Sequence, residues 1–282
     1  MFSSNLQKIS LKRGEGIVGG DVAKNHSYPF QMMIEMKCLM NDECSVYICG
    51  GTLLSPTVVL TAAHCMTFFQ NYPEGLRIRA GAAMINNRID GEQLSAGSQV
   101  WVHPSFNAEN FIDDYALIKV VTPFEFTDSV QPVALLDNEA AFFSGKVVTT
   151  IGWGTLDEKS VTHSNELREV NVTVISTTEC QKEYGKEFDL KTQICAGDTG
   201  KDSCEGDSGG PLLFEHHWSR DSPAKLTGKW AQIGITSTGK GCAEAGFAGI
   251  YSRTAAAIDW ISSTYKANIP DEAPIVESAT VI

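Results

Sequence analysis

The chain has 282 residues, 43% of them hydrophobic and 20% charged, a composition that excludes intrinsic disorder and leaves room for about two structural units of ~150 residues. Its 34 acidic and 22 basic side chains give a formal charge of −12, which argues against a surface built to grip nucleic acid or anionic lipid. No apolar run approaches the ~20 residues that cross a membrane, and Met1 to Arg13 lacks the apolar core of a secretory signal.

Along the chain, runs rich in β-branched and aromatic residues predict strands over Val46 to Leu54, Val58 to Thr61, Ala116 to Val121, Lys146 to Ile151, Glu169 to Ile175 and Trp230 to Thr236. Turn signals such as Ser55-Pro56, Asn86-Asn87 and Asp90-Gly91 separate several of them. No long amphipathic helices alternate with these runs, so antiparallel sandwiches or barrels are expected rather than a parallel sheet. Pro123, Pro132 and the polar Asp137-Asn138-Glu139 stretch place the boundary between two halves near 122 to 145. The one predicted helix runs from Thr254 to Tyr265, with Ala255, Ile258 and Ile261 on one face, Trp260 beside them and Thr254 as its cap. It is expected to dock on the second half. Pro270 through Pro274 predicts a flexible acidic tail over 268 to 282.

Eight cysteines stand at 38, 44, 49, 65, 180, 195, 204 and 242, an even set without the paired CxxC spacing of a zinc or thioredoxin-like site. Disulfides follow, and with them an oxidising compartment. The expected location is secreted, any leader having been trimmed or replaced.

Three segments carry chemistry. Gly206-Asp207-Ser208-Gly209-Gly210-Pro211 holds a serine among glycines, which alone is compatible with a flexible turn. Thr61-Ala62-Ala63-His64-Cys65 holds a histidine that alone fits a core residue or a metal ligand. Asp113-Asp114-Tyr115-Ala116-Leu117 lies between them. In this order the segments resemble those of the trypsin-like serine proteases, and the resemblance extends from Ile17-Val18-Gly19-Gly20 to Trp260-Ile261.

That resemblance implies an all-β fold of two packed six-stranded antiparallel Greek-key barrels with a C-terminal α-helix, the site lying in the cleft between them. The protease domain would span 17 to 267, behind a leader or activation segment of 1 to 16. It assigns His64, Asp114 and Ser208 as the catalytic triad, with Asp113 a solvated neighbour. The backbone N–H groups of Gly206 and Ser208 would form the oxyanion hole. Asp202, six positions before Ser208, would sit at the floor of the substrate pocket with Ser237, Gly239 and Gly249, favouring cleavage after Lys or Arg. Two departures keep apolar or mixed specificity as an alternative: Thr238 stands where a tryptophan is usual, and Gly241 to Gly246 resembles collagenolytic, chymotrypsin-like members. A non-catalytic homologue acting as a binding protein is the alternative from another class.

The resemblance further implies the pairs Cys49 with Cys65, Cys180 with Cys195 and Cys204 with Cys242, leaving Cys38 with Cys44. A disulfide that many relatives carry is absent, Val148 and Phe214 standing in its place. It implies a zymogen in which cleavage frees Ile17 to pair with Asp207, although Gly16 precedes Ile17 where Arg or Lys is usual. Ala82-Ala83 lacks an expected calcium ligand, although Glu92 matches another, so no metal is assigned; no cofactor is implied. The adjacent His216 and His217 read as solvated loop residues, and Asn25 and Asn171 begin glycosylation sequons. Expected partners are protein or peptide substrates, an activating protease and protein inhibitors, without nucleic acid or membrane, the protein itself a monomer.

Overall fold

Strands dominate the computed structural model, which describes residues 17–36, 47–138, 143–155, 162–215, 229–274 and 276–277. In the first half six strands close into a barrel: β2 (Gln31–Met36), β3 (Tyr47–Ser55), β4 (Val58–Thr61), β5 (Leu76–Ala80), β6 (Gln93–Val102) and β7 (Ala116–Val120). Their order around the barrel is β2-β3-β4-β7-β6-β5, every neighbour antiparallel. Met32, Ile34, Leu53, Val59, Leu60, Leu117 and Ile118 pack inside it or against its outer face, all fully shielded from water. Such runs carry apolar residues on both faces because the barrel is packed inside and covered outside.

The second half is a nine-stranded sheet. Its main path runs β1 (Asp21–Val22), β10 (Arg168–Thr173), β9 (Val147–Gly152), β12 (Pro211–Glu215), β13 (Trp230–Thr238), β14 (Gly249–Arg253) and β11 (Gln193–Ala196). Strands β10 and β11 also meet at their ends, through the Val174–Ala196 bridge and the bond from Gly197 N–H to the Thr173 carbonyl at 3.0 Å, so six strands of this sheet form a ring. Two additions lie off the path, β8 (Ala134–Leu136) and β15 (Val276–Glu277), and both pair in parallel, β8 with β13 and β15 with β8. A second apolar cluster fills this half, including Val148, Val172, Ile194, Leu212 and Tyr251. Val148 is buried there with Phe214 packed against the cluster, and Phe214 meets Phe143 edge to face at 5.3 Å, so apolar packing occupies the place of the missing disulfide.

Several local expectations are revised. Besides the turn α1 (Ala63–Met66), a helix α2 (Thr177–Tyr184) was not foreseen; Ser176 and Glu179 cap it reciprocally, so the signal was present in the sequence. The C-terminal helix α3 runs Thr254–Asn268, and its start is not capped by Thr254, whose hydroxyl donates instead to the Gln232 carbonyl at 3.1 Å. Its buried face is Thr254, Ala257, Ile261, Thr264 and Tyr265 rather than Ala255 and Ile258. Ala257, Ile261 and Tyr265 join the cluster that fills the first barrel, and the Tyr265 hydroxyl reaches Ser55, so α3 ties both halves together. The stretch beyond it is not loose where described. Ile269 is buried, Glu272 accepts from the Thr57 hydroxyl at 2.9 Å, and Val276 lies on β8, because those groups find partners on the first barrel and the second sheet.

Three disulfides join Cys49 to Cys65, Cys180 to Cys195 and Cys204 to Cys242. Cys38 and Cys44, like His216 and His217, lie outside the described residues. Both sequon asparagines are exposed, and Asn171 Oδ1 accepts from the Thr149 hydroxyl at 2.8 Å. No described helix is long and apolar enough to cross a membrane.

Candidate active site

The two halves meet where backbone comes closest. Strand β3 approaches the serine loop at glycines: a methyl added to Gly50 would stand 2.8 Å from the Gly210 Cα, and one added to Gly209 (φ +80°) 2.2 Å from the Thr61 hydroxyl. Only glycine permits that contact, which is sealed by Gly50 N–H donating to the Ser208 carbonyl at 2.8 Å. Gly209 N–H donates in turn to the Thr236 carbonyl at 2.8 Å, so Ser208 is held by both halves.

His64 stands on α1, the turn that follows β4, anchored by the neighbouring Cys49–Cys65 disulfide. Asp114 precedes β7, delivered by a tight turn in which Phe111 and Asp113 both adopt φ of +55°. The Asp114 carboxylate is fully buried. It accepts from His64 Nδ1 at 2.7 Å, from the His64 backbone N–H at 2.8 Å and from the Ser237 hydroxyl at 2.5 Å. This set fixes Nδ1 as the protonated nitrogen and leaves Nε2 with a lone pair. Phe111 packs edge to face on the imidazole at 5.4 Å. Asp113 points elsewhere, with His103 Nδ1 at 4.0 Å, and burial raises its pKa.

Ser208 and His64 line one cavity, together with Gly206. No hydrogen bond between the Ser208 hydroxyl and Nε2 is formed among the described residues; Nε2 has the Cys65 sulfur at 3.6 Å. Catalytic hydrogen bonds of this kind commonly tighten only when substrate is bound. Gly206 adopts φ +95°, and the Glu205 carbonyl accepts from Thr155 N–H at 2.7 Å. In a trans peptide the carbonyl and the next N–H point opposite ways, so this bond turns the Gly206 N–H away from Thr155. Among the described residues neither the Gly206 nor the Ser208 N–H is taken by a protein acceptor.

A polar cavity of about 320 Å³ opens beside Ser208, lined by Asp202, Ser237, Thr238, Gly239 and Gly249. A methyl on Gly249 would stand 2.6 Å from an Asp202 oxygen, so the glycine keeps the floor open. Ser237 lines this cavity, and its hydroxyl also donates to Asp114, giving the buried carboxylate a third donor. Asp202 accepts from Ser203 N–H at 2.8 Å and Ala243 N–H at 3.0 Å, and burial outweighs those bonds, pushing its pKa up to about 6.

Asp207 is fully enclosed. It accepts from Gly154 N–H at 2.7 Å and Cys204 N–H at 2.9 Å, and burial pushes its pKa up to about 7. No cation stands against Asp202 or Asp207 among the described residues. Ile17 is buried in the second cluster, at φ +46°, a region that costs a β-branched residue about 1 to 3 kcal/mol.

Three parts of this arrangement escaped sequence reasoning: the Ser237 hydroxyl, the Thr155 amide and the His163 ring, which lies against the Gly206 Cα. Each acts through a long-range contact that no local motif announces. Glu92, weighed as a metal ligand, instead accepts from Arg79 at 2.7 and 3.0 Å and from Arg88 at 3.2 Å.

Comparison with known proteins settles the family. The Trypsin family model matches residues 17–261. The chain belongs to the trypsin family of serine proteases. It is 34% identical to Tryptase of Mus musculus over 256 residues, covering 88% of each chain. It is also 34% identical to Trypsin-1 of Astacus astacus over 251 residues, covering 88% of this chain and 99% of that protein.

Proposed function

We propose that the chain is an exported serine endopeptidase that cleaves after Lys or Arg and is made as a zymogen. The observation that carries this is the buried Asp114 carboxylate on His64 Nδ1, with His64 and Ser208 lining the same cavity. His64 takes the Ser208 proton as Oγ attacks the scissile carbonyl carbon. The oxygen becomes an anion received by the Gly206 and Ser208 N–H groups, and Asp114 stabilises the imidazolium. His64 then gives its proton to the leaving amine; water, deprotonated by the same nitrogen, attacks the acyl carbon, and the bond to Oγ breaks as His64 returns the proton to Ser208.

For specificity, the buried Asp202 carboxylate lacks a cation, which a substrate Lys or Arg would provide in a cavity that Gly239 and Gly249 keep open. For activation, cutting before Ile17 frees its strained φ and creates an ammonium for Asp207. That amine has a pKa of about 8, so activity should fall in alkali as the amine deprotonates and its charge on Asp207 is lost. The protease domain is taken as 17 to 267, acting on protein substrates as a monomer.

The test is labelling of Ser208 by a fluorophosphonate after cleavage before Ile17, paired with peptides ending in Arg, Lys, Phe and Leu. Labelling with Arg and Lys turnover is expected. Absence of labelling would leave a binding homologue; preference for Phe or Leu would overturn the role of Asp202.

A further inference from the structure

Two cavities meet at Ser208. The one over Asp202 is polar and walled by the second half; the other, about 540 Å³, is walled by the first barrel through Met36, Tyr47, Ile48, the Cys49–Cys65 disulfide, Phe68 and Phe69. Among the described residues, no ionisable group but the Tyr47 phenol and His64 at its edge lines it. Its aromatic wall is built and held. Phe68 stands 50% exposed between Tyr72, stacked at 5.4 Å, and the buried Phe69, met edge-on at 5.3 Å. Tyr47 is 63% exposed and Tyr72 43%, so three large aromatic side chains face water within or beside one groove. A contiguous apolar surface of this kind commonly marks a binding site.

What fills it follows from direction. A substrate whose acyl side occupies the Asp202 cavity, with its scissile carbonyl at Ser208, must continue on its leaving side into the other cavity that Ser208 lines. We propose that Tyr47, Phe68 and Phe69 receive the first one or two residues beyond the scissile bond and select large apolar or aromatic side chains there. The proposal rests on the protease function above and adds to it a second determinant of which bonds are cut.

Acyl transfer isolates this site. An acyl-enzyme formed from an arginine or phenylalanine ester, whichever is turned over, is offered amino-acid amides that compete with water. The amine nitrogen attacks the acyl carbon, the C–N bond forms, the bond to Ser208 Oγ breaks, and the amine proton passes through His64 to Oγ. Because both products come from one intermediate, the aminolysis-to-hydrolysis ratio does not depend on how fast that intermediate forms.

Phenylalaninamide and leucinamide should capture the acyl group about tenfold or more better than glycinamide or aspartic acid α-amide. Phe68→Ala and Tyr47→Ala, both replacing half-exposed or more exposed rings, should each cut that preference to about threefold or less. Equal capture of all amides, preference for the aspartate, or preference unchanged in both variants overturns the inference while ester hydrolysis stands. A chain that neither hydrolyses the ester nor takes the fluorophosphonate overturns the protease function, and this inference with it.

Discussion

The two halves treat buried carboxylates differently. In the first barrel each has a side-chain partner: Glu92 is held by the buried Arg79 at 2.7 Å, and Asp114 by His64 at 2.7 Å. In the second half Asp202 and Asp207 accept hydrogen bonds, backbone N–H groups foremost, but face no cation among the described residues, and burial pushes them up to about 6 and about 7. An ionised carboxylate out of water is costly unless its charge is matched, and peptide dipoles match it only in part. On the proposed function the second half therefore leaves two charges open for groups the intact chain does not supply, a substrate side chain and a newly cut N-terminus. The first barrel is complete on folding; the second is completed by chemistry.

The sharpest test of the complete half is Asp114→Asn. It should leave the fold intact and lower turnover about 10⁴-fold, since an amide there favours the wrong imidazole tautomer. Asp113→Asn, measured alongside, should change turnover little, because Asp113 faces His103 at 4.0 Å rather than His64. Equal losses would break the assignment.

For the open half, Asp202→Ser should lower kcat/KM on arginine peptides roughly 10³-fold, the cost of removing one partner of a buried charge pair. Its raised pKa also sets a direction in pH. Above about 6 the carboxylate is ionised and attracts a cation; below it the group is protonated and the attraction is lost. Affinity for a benzamidine-type cation should therefore fall as pH drops through about 6 in the parent enzyme, and this step should vanish in the variant. A step that survives in Asp202→Ser belongs to another group.

Returning to the first barrel, Arg79→Met removes the cation that Glu92 and Glu35 share, at 2.7 and 2.9 Å. Breaking such a buried cluster should cost about 3 to 5 kcal/mol, read as a lower urea midpoint at unchanged slope. A loss below about 1 kcal/mol would place this cluster with ordinary surface pairs.

How much of this was legible in the sequence follows the reach of each interaction. Val58 to Thr61 and Trp230 onward announce strands because β-branched runs are a local signal, and His64, Asp114 and Ser208, the proposed triad, stood out because each sits in its own short motif. The four-residue strand β11 is too short to call, and α2 was passed over although Ser176 and Glu179 spell a capping box. Thr254 invited a cap assignment that a carbonyl on β13, Gln232, overrode by claiming its hydroxyl. Ser237, Thr155 and His163 owe their roles to residues 123, 50 and 43 positions away, a pairing set by the fold and not by neighbours in the chain.

His163 offers the smallest effect and the finest probe of how the open half is shaped. A methyl added to Gly206 would stand 2.6 Å from both Cε1 and Nδ1 of this ring, so the imidazole forms a wall behind the φ +95° conformation that aims the Gly206 N–H. Its Nδ1 is buried without a hydrogen-bond partner among the described residues, and burial lowers its pKa, so the ring stays neutral and acts by shape. Losing an oxyanion donor outright costs about 10² to 10³ in rate; loosening one should cost less, about tenfold in kcat for His163→Ala. KM and affinity for a cation in the Asp202 pocket should hold, while affinity for a peptide aldehyde, whose hemiacetal oxygen occupies the same hole, should fall by the same factor as kcat. His163→Phe should restore most of both, because it keeps a flat ring against Gly206. If the alanine variant loses aldehyde affinity and cation affinity alike, the ring supports the whole second half instead of the one peptide that receives the charge.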